Sequence, residues 1–234
     1  MTDAERNQIL ASAKTFFRTK IADSHRRRTE ELTLSKFDIN PFLHKYVAQF
    51  AFGNSSAESM AKALIYPRVL GTSITTTFGN QLQSFCNEVL TSFASTTSGI
   101  DIEFIDALDG RRKYCQVKAG PNTINKDDVT TIKDHFRGVR NLARTNHLTL
   151  ATTDCIVGVF YGTESSLSNN YKKINEDYPV FVGEEFWHRL TGDENFYYDL
   201  IDAFAEVADE MDSSAMLNSV IQRLAEDIAE QNED

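Results

Sequence analysis

A chain of 234 residues, 41% hydrophobic and 25% charged, is long enough to bury a full core, and 11 Gly with 4 Pro exclude a collagen-like or wholly disordered protein. Its longest apolar run, Ile156 to Tyr161, is far too short to span a bilayer, and the opening MTDAERNQ lacks the basic-then-apolar profile of a signal peptide. The formal net charge of −10 argues against a nucleic-acid partner at face value, but the charge is unevenly placed.

Residues Ala4 to Ile21 and the following His25-Arg26-Arg27-Arg28 predict a helix with Ile9, Phe16 and Phe17 on one side, ending before Asn40-Pro41. Ser55 to Ile65 predicts a short helix capped by Ser55 or Ser56, with Glu58 in its first turn. In Phe78 to Phe93, Leu82, Phe85, Cys86, Val89, Leu90 and Phe93 follow a helical period, and Ser95 to Gly99 is a polar loop. Ile100 to Ala107 alternates like a strand, Leu108-Asp109-Gly110 is a hairpin turn, and Lys113 to Ala119 returns. Asp127 or Asp128 can cap a helix from Val129 to Arg144. Cys155 to Tyr161 reads as a strand buried on both faces, and Val180 to Val182 as another. Glu184 to Leu190, Asn195 to Met211 and a last amphipathic segment with Leu217, Val220, Ile221, Leu224 and Ile228 are helical. This order predicts an α/β fold, a central mixed β-sheet flanked by helices, with helical N- and C-terminal extensions. The expected organisation is a single domain over 1–234, mainly helical to residue 95, with a sheet core over 96–192 and acidic helices over 193–234. Cys86, Cys115 and Cys155 form no CxxC pair and predict half-buried, reduced thiols in a cytoplasmic protein.

From Asp193 to Asp234 there are 13 Asp/Glu and one basic residue, whereas Arg111 to Leu150 holds nine basic and three acidic residues. The acidity is therefore confined to the C-terminal segment, the middle of the chain is basic, and net charge does not exclude DNA. No GxxxxGK loop points to a nucleotide, and the five histidines show no zinc-ligand spacing.

The candidate chemistry lies on the hairpin. Asp101 and Glu103 are two residues apart and share a face of the first strand, as Gln116 and Lys118 do on the second. A carboxylate, a second oxygen ligand and a lysine converging there can hold Mg²⁺ and activate water, although a solvated strand face alternates charge in the same way.

These residues resemble a known family. Ser98-Gly99-Ile100-Asp101, the hairpin and Gln116-Val117-Lys118 look like the PD-(D/E)XK nuclease motif, and Lys118 to Asp128 looks like its continuation in type II restriction endonucleases. Ile39-Asn40-Pro41-Phe42, Val157 to Gly162 and Gly183-Glu184-Glu185-Phe186-Trp187 extend the similarity over about residues 35–192, to enzymes that cut interrupted palindromes of the GGNCC kind. The resemblance implies a restriction-endonuclease-like core and Mg²⁺-dependent hydrolysis of double-stranded DNA leaving 5′-phosphate ends. It also implies a homodimer and a place in a restriction-modification system. Asp101 would bind the metal and Lys118 would be the catalytic lysine. Gln116 stands where the family usually has Glu or Asp, so Glu103 or Glu88 could supply the missing carboxylate.

A second stripe beside the buried face of the following helix carries Lys133, Arg137, Arg140 and Arg144, which suits phosphate contact or guanine reading. Asn122, Thr123, Asn125 and Lys126 could reach DNA as well, although turn chemistry and capping favour the same residue types. Two other readings remain at this point. One is a structure-directed repair or junction nuclease of the same fold, and the other a DNA-binding protein whose site has decayed at Gln116.

Overall fold

The computed structural model describes residues 1–231, and residues 232–234 of the acidic C-terminal segment lie outside the described residues. In chain order the helices are α1 (Asp3–Phe16), α2 (Asp23–Glu30), α3 (His44–Phe52), α4 (Ala57–Pro67), α5 (Ile74–Glu88), α6 (Lys126–Thr145), α7 (Asn169–Asn175), α8 (Glu184–Thr191), α9 (Phe196–Asp209) and α10 (Ser214–Gln231). The strands are β1 (Ile102–Ile105), β2 (Arg112–Lys118), β3 (Cys155–Val159) and β4 (Val180–Val182). They form one mixed sheet in the order β1-β2-β3-β4, the first pair antiparallel and the other two parallel. This is the expected α/β architecture with helical extensions. No helix among the described residues is long and apolar enough to cross a membrane.

The chain divides into two compact units, one comprising Met1–Phe16 and Gly79–Ala205, the other Phe17–Phe78 and the chain from Glu206 onward. The first holds the sheet. β3 is buried along its whole length, which its continuous apolar run requires of a strand covered on both faces. On one face Ile132, Phe136 and Val139 of α6 and Tyr171 and Ile174 of α7 pack with Val157, Val159, Val180 and Val182. On the other, Gly158 lets Phe186 of α8 lie directly on the strand, where an added Cβ would stand 2.2 Å from the ring. Trp187 packs edge-on to Phe160 and donates its indole N–H to the Phe160 carbonyl at 3.0 Å. Each such fully buried apolar side chain contributes roughly 1.5–3 kcal/mol.

α6 begins at Lys126. Its cap is Asn125, not Asp127 or Asp128: Asn125 Oδ1 accepts from the Asp127 and Asp128 N–H groups, and Asp128 returns a bond to the Asn125 N–H at 2.8 Å. An amide at the cap leaves both carboxylates in the first turn, where the helix dipole favours them. The three cysteines are free and wholly buried rather than half-buried, since each sits on a core-facing position. Burial pushes the Cys86 and Cys155 thiols up to about 12.

In the second unit, Val220, Ile221, Leu224 and Ile228 of α10 pack with Met60, Ala61 and Ile65 of α4. Ser56 caps α4 by accepting from the Ser59 N–H at 3.3 Å. α3, which the sequence pattern does not reveal, joins this core through Ala48.

Candidate active site

The hairpin register pairs Ile102 with Cys115 and Glu103 with Tyr114, which sets Asp101 opposite Gln116. The Asp101 N–H donates to the Cys115 carbonyl at 3.0 Å, and the Val117 N–H donates to Asp101 Oδ2 at 2.7 Å. Asp101 is thus held at the end of β1, on the face that also carries Gln116 and Lys118. Burial pushes its carboxyl above the usual carboxylate range, against the Val117 bond and the nearby Lys118 and His135. Its Oδ1 accepts no hydrogen bond among the described residues. Lys118 is half-buried; its carbonyl accepts from the Phe160 N–H at 2.8 Å, while its ammonium forms neither a hydrogen bond nor an ion pair among them. A carboxyl whose pKa burial raises, beside an uncommitted ammonium, is an arrangement that a cation and a phosphate would complete.

Gln116 is 5% exposed, and its amide orientation follows from its neighbours. Nε2 donates to the Gly99 carbonyl and to His135 Nδ1, the latter at 2.7 Å. A carbonyl can only accept, so the NH₂ end must face Gly99, which leaves Oε1 free as a ligand oxygen. Gly99 is needed here twice over. Its φ is +76°, and an added Cβ would stand 2.5 Å from the His135 ring. His135 is the member of the site that sequence spacing does not reveal.

Glu103 shares this face but is otherwise engaged. It accepts from Ser95 Oγ at 2.6 Å, Thr97 Oγ1 at 2.8 Å and Arg112 Nη1 at 3.3 Å. Burial raises its pKa, but these three bonds outweigh burial and hold it below the usual range. Glu88 is exposed at the end of α5. Among the described residues no three His, Cys, Asp or Glu side chains cluster as a metal site. One carboxylate and one amide oxygen nevertheless fit Mg²⁺, which binds few protein groups and completes its shell with water and phosphate oxygens.

The basic stripe of α6 is only partly free. Lys133 pairs with Asp177 at 2.5 Å and Arg137 with Asp134 at 3.1 Å. Arg140 is exposed with no hydrogen bond or ion pair among the described residues, and Arg144 reaches only Asn141 at 3.4 Å. Together with Arg137, His147 and Thr149 they line an open pocket of about 560 Å³ that contains no acidic residue. In the preceding loop, Thr123 Oγ1 donates to the Gly120 carbonyl at 2.8 Å and Asn125 is the helix cap. Asn122 and Lys126 are exposed.

A family model described as Type II restriction endonuclease EcoO109I matches residues 11–212, most of the chain. The chain belongs to this family. It is a type II restriction endonuclease, a hydrolase whose partner is DNA. No curated protein matches the chain. In the endonuclease, the hairpin face with Asp101, Gln116 and Lys118 lies within the matched region, as does α6 with its arginines.

Proposed function

We propose that this endonuclease cuts double-stranded DNA at a short palindromic site, of the GGNCC kind, with Asp101, Gln116 and Lys118 as a PD-(D/E)XK site and Mg²⁺ as cofactor. In this reading it acts as a homodimer, one site for each strand, within a restriction-modification system in the cytoplasm. The observation that carries it is the half-buried Asp101 fixed by the Val117 N–H beside a Lys118 whose ammonium is uncommitted. Asp101 Oδ1 and Gln116 Oε1 would hold the metal. When bound, it supplies Lewis acidity toward the phosphodiester. Lys118 orients the attacking water and offsets the charge that builds on the phosphate in the transition state. Cleavage would leave a 5′ phosphate and a 3′ hydroxyl.

The test is digestion of unmethylated phage DNA with Mg²⁺ and with EDTA. Discrete bands only with Mg²⁺ are expected. A smear would indicate cutting without sequence choice, and binding without cutting would make the chain a DNA-binding protein decayed at Gln116.

Gln116→Glu places a charge on the same ligand oxygen, so less Mg²⁺ should give half-maximal cleavage. An unchanged Mg²⁺ titration would instead assign the second ligand to Glu103 or Glu88.

Arg137, Arg140, Arg144, Asn122 and Lys126 are the proposed DNA-binding residues, with Lys133, Thr123 and Asn125 available once their present partners yield. Arg140→Ala combined with Arg144→Ala should weaken binding to specific and unrelated duplexes alike. The slope of log affinity against log salt should fall by about one for each phosphate that is no longer neutralised. Loss of sequence preference with an unchanged slope would mean that these arginines read bases.

A further inference from the structure

A glutamine that holds a metal must be oriented in a way that a glutamate need not be. Glutamate offers an oxygen from either end, whereas glutamine offers one oxygen and, if the amide turns over, an NH₂ group that a cation repels. Residue 116 therefore has to be held one way round. Its amide has two hydrogens, and two acceptors meet them, the Gly99 carbonyl and His135 Nδ1, the latter at 2.7 Å. Turning the amide over would lose both bonds and set Oε1 against both acceptors. Because Nδ1 accepts, the neutral ring carries its proton on Nε2. The ring is itself fixed in place. His135 is flanked on α6 by the buried Ile132, Phe136 and Val139, and it fills the space that a side chain at Gly99 would need.

We propose that His135 is a positioning residue of the metal site: its Nδ1 and the Gly99 carbonyl together hold Gln116 with Oε1 toward the metal, and this clamp makes the glutamine serviceable where a carboxylate would need none. The role rests on the reading above, in which Asp101 and Gln116 hold the metal. Gly99 does not suffice alone. One carbonyl takes one hydrogen and leaves the amide free to swing about that bond, whereas two acceptors fix it. His135 acts through Gln116 and is not itself a ligand through Nδ1, which the amide occupies. Groups that orient metal ligands in this way typically govern metal affinity by about 10–100-fold. Packing over Gly99 would be served equally well by an apolar side chain of the same reach, but the bond from Gln116 would not.

Two substitutions separate the acceptor from the bulk. His135→Asn puts an oxygen close to where Nδ1 stands, whereas His135→Leu keeps an apolar body of similar reach and removes the acceptor. Mn²⁺ alone is the probe, because it takes the same oxygen ligands as Mg²⁺ and its free form is counted by electron paramagnetic resonance. On the DNA-free protein, Mn²⁺ affinity should fall about 10–100-fold in His135→Leu and stay close to the native value in His135→Asn. The leucine variant should also need correspondingly more Mg²⁺ for half-maximal cleavage, with the smaller change in the rate at saturation. A residue that merely packs would give the reverse order, leucine tolerated and asparagine impaired, and that result would overturn the proposal. An equal loss in both variants would overturn it too, since the acceptor would then not matter. Mn²⁺ binding that needs Asp101 but ignores residue 135 would remove the role of His135 and leave the metal site standing. Binding that Asp101→Asn leaves unchanged would remove both.

Discussion

Asp101→Asn is expected to silence cleavage and, in the absence of metal, to make the protein more stable. The first effect follows from removing the one carboxylate at the site: several kcal/mol of transition-state stabilisation are lost, and ~4 kcal/mol is already about 10³-fold in rate. The second follows from the direction of the Asp101 shift. Burial raises its folded-state pKa above the unfolded value, so its favourable contribution is present only while it is protonated and is lost as pH rises through the folded pKa. At neutral pH the ionised carboxylate is therefore a cost to the fold, which asparagine removes while still accepting from the Val117 N–H. Thermal melts in EDTA should place the variant above the native protein at pH 7, by about 2–4 °C for each ~1 kcal/mol recovered. The gap should close below about pH 4, where aspartate is protonated in both states. Lys118→Ala should also lose on the order of 10²–10⁴-fold in cleavage rate. The two variants then separate by stability, because Lys118 favours the ionised form of Asp101. A native-like rate in either would discard the catalytic assignment, and an unchanged melt for Asp101→Asn would discard the account of its burial.

The hairpin was legible because two local signals coincide there. The Asp109-Gly110 turn, with Gly110 at φ +70°, is chemistry that few residue types permit, and the alternation on either side then sets which side chains share a face. α6 was legible for a similar reason: its apolar residues recur at the helical period over 20 residues, and only the cap was misplaced, since Asn125, Asp127 and Asp128 can all accept. α3 escaped because a helix is recognised by an apolar face directed at a core. Its strongest apolar residues face outward, and the buried side is carried by Ala48. His135 escaped because its partners lie 19 and 36 positions away, and only the crossover from β2 through α6 brings the ring onto Gly99 and Gln116. The departure at residue 116 could be seen in the sequence. That the amide is turned by a carbonyl on one side and an imidazole on the other could not.

The same limit applies to Lys113, which the alternation of β2 places on the face opposite the site, among apolar neighbours. Its side chain is 2% exposed and its ammonium is held at the turn end of the hairpin. It donates to Asp109 Oδ2 at 2.6 Å and to the Thr153 carbonyl at 3.2 Å, with Asp154 at 3.7 Å and the wholly buried Asp106 at 4.0 Å. Asp106 also accepts from Arg189 at 3.0 Å, and Asp154 pairs with Arg111. The cluster thus ties β2 to the turn, to the loop before β3 and, through Arg189, to α8. Breaking a buried ion pair from one side costs about 3–5 kcal/mol, because the remaining charge is left in a poorly solvated place. Asp106 and Asp154 each keep an arginine, so Lys113→Ala belongs at the lower end, about 3 kcal/mol, corresponding to a drop in melting temperature of about 6–12 °C. Lys113→Met keeps most of the buried stem and removes the charge, so it should recover the packing part of that loss. Chemical denaturation of the two variants separates the terms. Equal losses would assign the cost to the charge network, whereas a methionine variant as stable as the native protein would show that the buried ammonium contributes no net stability.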